Sequence, residues 1–343
     1  MKTLISLSML FAVTVAGCAS ETPGDDGDGG GDGGGGGGGE PQPVPTTPEG
    51  TYRMQSEFDL ATNIPGTAGT VATYFIQATD DPDDPTKFIV EKVLEALPNG
   101  SIKNALQSGA PYVTGYLNDR LVEVAPSFVG KVIDLGNAFG QVTKDFGVID
   151  ELQIDAAGAA TKTVKGLRFE IDGTEHELAF ADYGIAETRI DGLTVTLAKS
   201  GQLEISEHKV PMKYGQVMRL ALDQAIIPMI DPASSNLGEL FQAAVNCTKV
   251  GKYIYDAIGF GSASTFESAC KTGLTSGANA LYNLMNNVDT AALELGIAGT
   301  ARGVDKNRDG KMDEMVTGAW TGNVSYHGTP APLSTAKFFG ARL

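Results

Sequence analysis

Four side chains that end in oxygen recur at alternate or near-alternate positions near the C-terminus: Asp305, Asn307, Asp309 and Asp313. Oxygens so placed can surround a hard divalent cation, which takes 6–8 oxygen ligands. Without a metal, three carboxylates crowded on one turn repel each other. The same residues also suit a metal-free turn, because Asp and Asn side chains bond to their own backbone two residues on.

Asp305-Lys306-Asn307-Arg308-Asp309-Gly310-Lys311-Met312-Asp313 resembles the first nine positions of an EF-hand-type calcium loop. The resemblance implies oxygen ligands at loop positions one, three, five and nine. Gly310 would make the sharp sixth-position turn, Lys311 would offer its backbone carbonyl, and Met312 would point inward. It departs from the family at position twelve, where Val316 stands in place of a bidentate acid. Asp313 or Glu314 would then close the shell, or affinity would be low. Calcium is expected here as a structural ion.

The N-terminus carries a different chemistry. Met1-Lys2-Thr3 is a short basic start, and Leu4–Val15 is apolar except at Ser6, Ser8 and Thr14. A permanent membrane helix needs about 20 such residues, so the run reads as an export signal over residues 1–17. Val15-Ala16-Gly17-Cys18 resembles the lipobox of bacterial lipoproteins. The resemblance implies cleavage before Cys18 and acylation of its sulfur and amine. The absence of Asp after Cys18 implies outer-membrane lipid as the anchoring partner. One acyl chain binds only marginally, and several anchor durably.

Residues 18–50 read as a disordered tether. Twelve of the sixteen residues from Gly24 to Gly39 are glycine and the others are Asp25, Asp26, Asp28 and Asp32, with nothing to bury. Pro41, Pro43, Pro45 and Pro48 then favour an extended chain. As a flexible coil the segment reaches roughly 30 Å on average. A phosphate-cradling glycine loop would need a strand–turn–helix frame with Lys and Ser or Thr, which is missing.

Charge narrows the partners. Forty-two acidic against 25 basic side chains give −17. Residues 1–50 hold seven acids and Lys2, hence −6, which leaves −11 for residues 51–343. That excludes nucleic acid, which demands clustered Lys and Arg, and argues against an anionic lipid surface. In an oxidising compartment Cys247 and Cys270, the thiols left after lipidation, are expected to pair.

The elements that must position these groups show two periods. Tyr52, Met54, Ser56, Phe58 and Leu60 alternate as a strand, and Val71–Ala78 is β-rich. Helical stripes follow at Ile89–Leu97 and Val113–Val124, and then from Val129 to Phe146 beyond Pro126. From Leu152 to His208 the period is two, with Asp172-Gly173 and Asp191-Gly192 marking hairpin turns in an antiparallel meander. Helical spacing returns at Val217, Leu220, Ala221 and Ile227, stops at Pro228, and resumes over Leu237–Ile258 and from Phe266 to about Leu295. Trp320, Gly322, Val324 and Tyr326 read as a strand. The fold class is α+β: amphipathic helices packed on an antiparallel sheet, over residues 51–343, as one body or two with a boundary near 209.

No catalytic motif stands out. Ser206-to-Lys209, Ser234-Ser235-Asn236 and Lys271-Thr272-Gly273 mimic in order the motifs of serine penicillin-binding enzymes, but they are too close together for that fold. His176, His208 and His327 are scattered over strand-like segments, and His176 between Glu175 and Glu177 reads as solvated. The expected function is a non-catalytic envelope lipoprotein that binds a protein or small-molecule ligand. The alternatives are a carrier of hydrophobic molecules, similar to the tubular lipid-binding proteins, and a hydrolase with an unrecognised site.

Overall fold

Alternating apolar residues build the largest part of the described structure. The structure, a computed structural model, describes residues 43–61, 64–66, 69, 126–259 and 261–343. Among them are ten strands: β1 (Gly50–Phe58), β2 (Phe146–Ile154), β3 (Ala159–Ile171), β4 (Thr174–Ala179), β5 (Thr188–Leu197), β6 (Gln202–Met212), β7 (Leu293–Val304), β8 (Glu314–Tyr326), β9 (Thr329–Pro332) and β10 (Ala336–Arg342). Their pairings are antiparallel, in the order β10-β1-β2-β3-β5-β6-β7-β8. β10 also pairs with β8, so eight strands close into a barrel, with β4 hanging on β3 and β9 on β8. Closure removes the unpaired edges on which another chain could pair.

The helices are inserted at two points. α1 (Pro126–Lys144) precedes β2, and α2 (Tyr214–Ala221), α3 (Ile227–Ile230), α4 (Leu237–Ala244), α5 (Cys247–Ile258) and α6 (Ala263–Val288) lie between β6 and β7. Asn236, Asn246 and Ser262 cap the last three through backbone N–H groups at Glu239, Lys249 and Thr265. The register puts Phe58 opposite Phe146 and Ala336, and Leu293 opposite Met212 and Tyr326. Both helical insertions therefore leave from one end of the barrel. The other end carries the short connections at 155–158, 198–201 and 305–313. The α+β expectation stands, and the sheet is more specific than expected because it closes. Lys209, beside which a boundary was expected, lies inside β6.

Local expectations meet mixed outcomes. Asp172 and Gly173, with φ of 48° and 78°, make the tight turn between β3 and β4. Asp191-Gly192 is not a turn. It lies inside β5, where both residues face Thr161 alone and Gly192 takes φ 80°, a bulge that needs glycine's freedom. Phe146 opens β2 and does not extend α1. Pro228 does not stop its helix, because a π-helical turn over Leu222–Ile226 precedes it and Pro228 occupies the first turn of α3. The run from Phe266 divides: α6 ends at Val288, and Leu293, Leu295 and Ile297 alternate inward on β7. Residues 43–50, expected as part of the disordered tether, are ordered: they hydrogen-bond to the barrel end and Gly50 opens β1. The tether up to residue 42, the Val71–Ala78 strand and the helices at 89–97 and 113–124 lie outside the described residues.

Candidate functional site

The oxygen-rich loop joins β7 to β8, two neighbouring antiparallel strands. Its polar side chains bind the loop's own backbone. Asp305, only 2% exposed, accepts from Arg308 N at 2.7 Å and Asp309 N at 3.2 Å through Oδ1, and from Gly310 N at 2.8 Å through Oδ2. Asn307 Oδ1 accepts from Asp309 N, and Asp309 Oδ1 from Lys311 N. Asp313 Oδ2 folds back onto the amides of Lys306 and Asn307 at 2.7 and 3.2 Å. Gly310 has φ 86° and Arg308 has φ 64°, the left-handed conformation that lets the loop reverse.

A strap formed by residues 43–49 braces this end. Thr46 N and Oγ1 both donate to Gly310 O at 2.8 Å, and Met312 N donates to Thr47 O at 3.1 Å. Met312 is buried, as its inward position requires. Glu314 pairs with Lys306 and Val316 sits opposite Arg302 on the ladder, so Asp313 is the acid that turns back on the loop. Among the described residues no three His, Cys, Asp or Glu side chains stand close enough together to hold a metal ion. The oxygens of Asp305, Asn307, Asp309 and Asp313 share one turn, each oriented by a loop amide.

A second polar cluster lies where the sequence reading placed none, inside the barrel. Lys162 Nζ stands 3.0 Å from Asp150 Oδ2, with the two side chains 2% and 0% exposed. Ser56 Oγ donates to the same carboxylate oxygen at 3.3 Å, and Trp320 Nε1 donates to Ser56 Oγ at 3.2 Å. The Lys162 ammonium lies 4.6 Å from the Trp320 ring centre, within cation–π range. Phe338 covers Trp320 at 4.3 Å, and His208 meets it edge-on at 5.6 Å. Burial pushes the Asp150 carboxyl above its usual range, against the pull of Lys162.

Three strand irregularities and one glycine allow this arrangement. Leu203 and Ile205 point inward on β6, so strict alternation would send Glu207 into the lumen. Ser206 and Glu207 together face Ala298, and this bulge turns His208, Val210 and Met212 inward instead. A second bulge at Lys165 lets Lys162 and Val164 share the inner face with Leu167, and the Asp191-Gly192 bulge lies on the other side of β3. Gly299 leaves room for Trp320, since a Cβ there would come within 2.5 Å of the indole. The signal that could have located the cluster is phase: Asp150 and Lys162 fall in step with the apolar positions of β2 and β3.

His208 sets a pH response. Burial, with Lys162's charge second, lowers its pKa from 6.5 to about 4. The unfolded chain therefore takes up the proton first, and stability falls as pH drops from 6.5 toward 4, by about 3 kcal/mol in all. The readout is the difference between wild type and His208→Gln, in which the contributions of all other titrating groups cancel. Urea melts should show that difference constant above pH 7 and shrinking to nothing or reversing by pH 4. A difference that does not move across this window rejects a neutral buried His208.

The other sequence candidates sit apart. Cys247 and Cys270 are joined, with sulfurs 2.03 Å apart, and tie the first residue of α5 to α6. Ser206 lies in the β6 bulge, Ser234 is buried ahead of α4, and Lys271 pairs with Glu267 on α6, so the mimic of serine-enzyme motifs does not assemble. His176 is half-buried and stacks on Phe169 at 5.6 Å, where a solvated position was expected. His327 occupies the β8–β9 turn with φ 49°. An open groove of about 630 Å³ beside α1, lined by Glu57, Gln141, Arg168, Glu175, Lys337 and Phe339, presents both charges. Cys18 lies outside the described residues. No family model matches this chain, and no curated protein or solved structure matches it either.

Proposed function

We propose that this chain is a lipid-anchored cell-envelope protein of non-catalytic type, which presents a closed barrel on an acylated tether and uses calcium as a structural ion in the β7–β8 loop. The observation that carries the reading is the loop itself. Four side-chain oxygen groups are mounted on one turn, oriented by backbone amides and braced by the 43–49 strap. A cation drawn to Asp305, Asn307, Asp309 and Asp313, with the Lys311 carbonyl, would relieve carboxylate repulsion and tighten the strap onto the barrel end. The lumen positions filled by Trp320, Phe338 and Met54 favour a rigid binding module over a lipid carrier, which would need a continuous apolar tunnel. The two-signed groove beside α1 suits a polar partner.

Calcium should raise the Tm and chelator should lower it. Binding stabilises by RT ln(1 + [Ca]/Kd), about 2.7 kcal/mol at a hundredfold excess over Kd. With Val316 at the twelfth position, Kd should fall on the order of 10⁻⁴ to 10⁻³ M. Asp305→Ala with Asp309→Ala should abolish the calcium dependence. A chelator-insensitive melt, with no calorimetric heat at millimolar calcium, would reduce the loop to a turn.

The anchor is tested separately. Cys18→Ser should block acylation and leave unprocessed or mislocalised protein. Continued uptake of labelled fatty acid by the Ser variant, with fractionation in the outer membrane, would reject the lipoprotein assignment.

A further inference from the structure

Lys162 and Asp150 differ from an ordinary ion pair in what surrounds them. Both charged groups lie in a closed barrel, on the same face of adjacent strands, with Leu152 directly opposite Lys162 and Val164 directly opposite Asp150. Nζ is 3.0 Å from Oδ2, so the amine nitrogen and the carboxyl group are already in contact and a small shift would bring nitrogen to the carbon. The indole of Trp320 and the ring of Phe338 keep water away. We propose that Lys162 and Asp150 condense into an intramolecular isopeptide bond, which locks β2 to β3 inside the barrel.

The chemistry closes without a co-reactant. In a dry site two neutral groups cost less to bury than two ions, so the ammonium hands a proton to the carboxylate. The lone pair on Nζ then attacks Cγ of Asp150, forming the C–N bond. The tetrahedral intermediate expels the carboxyl hydroxyl, which takes a proton from nitrogen and leaves as water. One ammonium and one carboxylate become one secondary amide and one water, with no change of oxidation state.

The neighbouring groups suit that step. Ser56 Oγ donates to Oδ2 and is itself held by Trp320 Nε1, a donor chain aimed at the oxygen that leaves as water. Asp150 Oδ1 has no hydrogen-bond partner, so it is free to become the amide carbonyl oxygen. His208 Nε2 is also buried without a partner, with its ring edge-on to the Trp320 indole that walls the pair. The charged and titratable groups at the cluster are Asp150, Lys162 and His208, and the first two are consumed together, leaving no buried ion behind.

Trypsin tests this on the full-length chain purified from cells. Cleavage after Lys144 and Lys165 should release the segment Asp145–Lys165 uncut at Lys162 and lighter by one water. It should give no backbone fragments between Asp150 and Lys162, because both ends of that stretch are held in a ring. Lys162→Arg should restore the full mass and cleavage at position 162. A wild-type digest with Lys162 cut and the mass unreduced overturns the proposal. A water loss with Lys162 still cut overturns it too, since that marks a succinimide at an aspartate. The wild-type digest decides the matter even if the Arg variant fails to fold.

Discussion

Replacing Lys162 with Met should destabilise the folded body by about 3–5 kcal/mol, because it strands a carboxylate in the barrel lumen. Asp150 would keep Ser56 Oγ, and the aromatic walls of Trp320 and Phe338 offer no ion to replace the lost ammonium. Loss of the proposed amide would deepen the deficit. Removing both charges, as Lys162→Met with Asp150→Leu, should recover much of the loss, since two apolar groups leave nothing unpaired. The single variant also has a pH signature. Burial already holds the Asp150 pKa above its usual range, and deleting Lys162 raises it further. A group whose folded pKa is raised loses stability as pH climbs through that pKa, so the deficit should be small in acid and full near pH 7. Urea melts of wild type, the single variants and the double variant across pH 4.5–7.5 form the cycle. A Lys162→Met chain as stable as wild type near pH 7 would mean that the lumen reaches water.

That cluster marks the boundary of what the residues reveal on their own. Alternation in β2, β3 and β6 is strong because one face packs inward, and Asp172-Gly173 marks its turn through the positive φ it needs. Asp191-Gly192 carries the same local signal and makes a bulge, because what separates a turn from a bulge is the partner strand, here Thr161 of β3. Closure between β8 and β10 depends on the summed tilt and register of eight strands, which no local window contains. The end of α6 is hidden from the local sequence for a similar reason. Leu293 and Leu295 are good helix formers, and only their pairing with Met212 and Val210 of β6 makes them strand. In the loop, oxygen spacing was legible in the sequence, whereas the flanking strands and the 43–49 strap were not. The cysteine pair was legible by elimination.

Converting Cys247 and Cys270 together to Ala should cost about 3 kcal/mol from loop entropy alone, the closed loop running from residue 247 to 270. Both cysteines are buried, so removing two sulfurs also leaves small voids and pushes the cost upward. For a body of this size a kilocalorie moves the Tm by roughly 2–4 °C, which gives a drop of about 6–12 °C. The effect should be local as well as global. α5 packs mainly on α6, and Gly251 permits the close approach: a Cβ there would come within 2.6 Å of Ala263 O and Glu267 N. Without the bridge, α5 has few other elements to hold it. Amide exchange should therefore rise first in α5 and the first turns of α6, while β2, β3 and β7 keep their protection. The barrel closes through its own strand ladder, between β8 and β10, and does not need this bridge to close. Equal loss of protection in barrel and helices would show that the disulfide holds the whole fold, and unchanged exchange in α5 would show that Gly251 packing suffices without it.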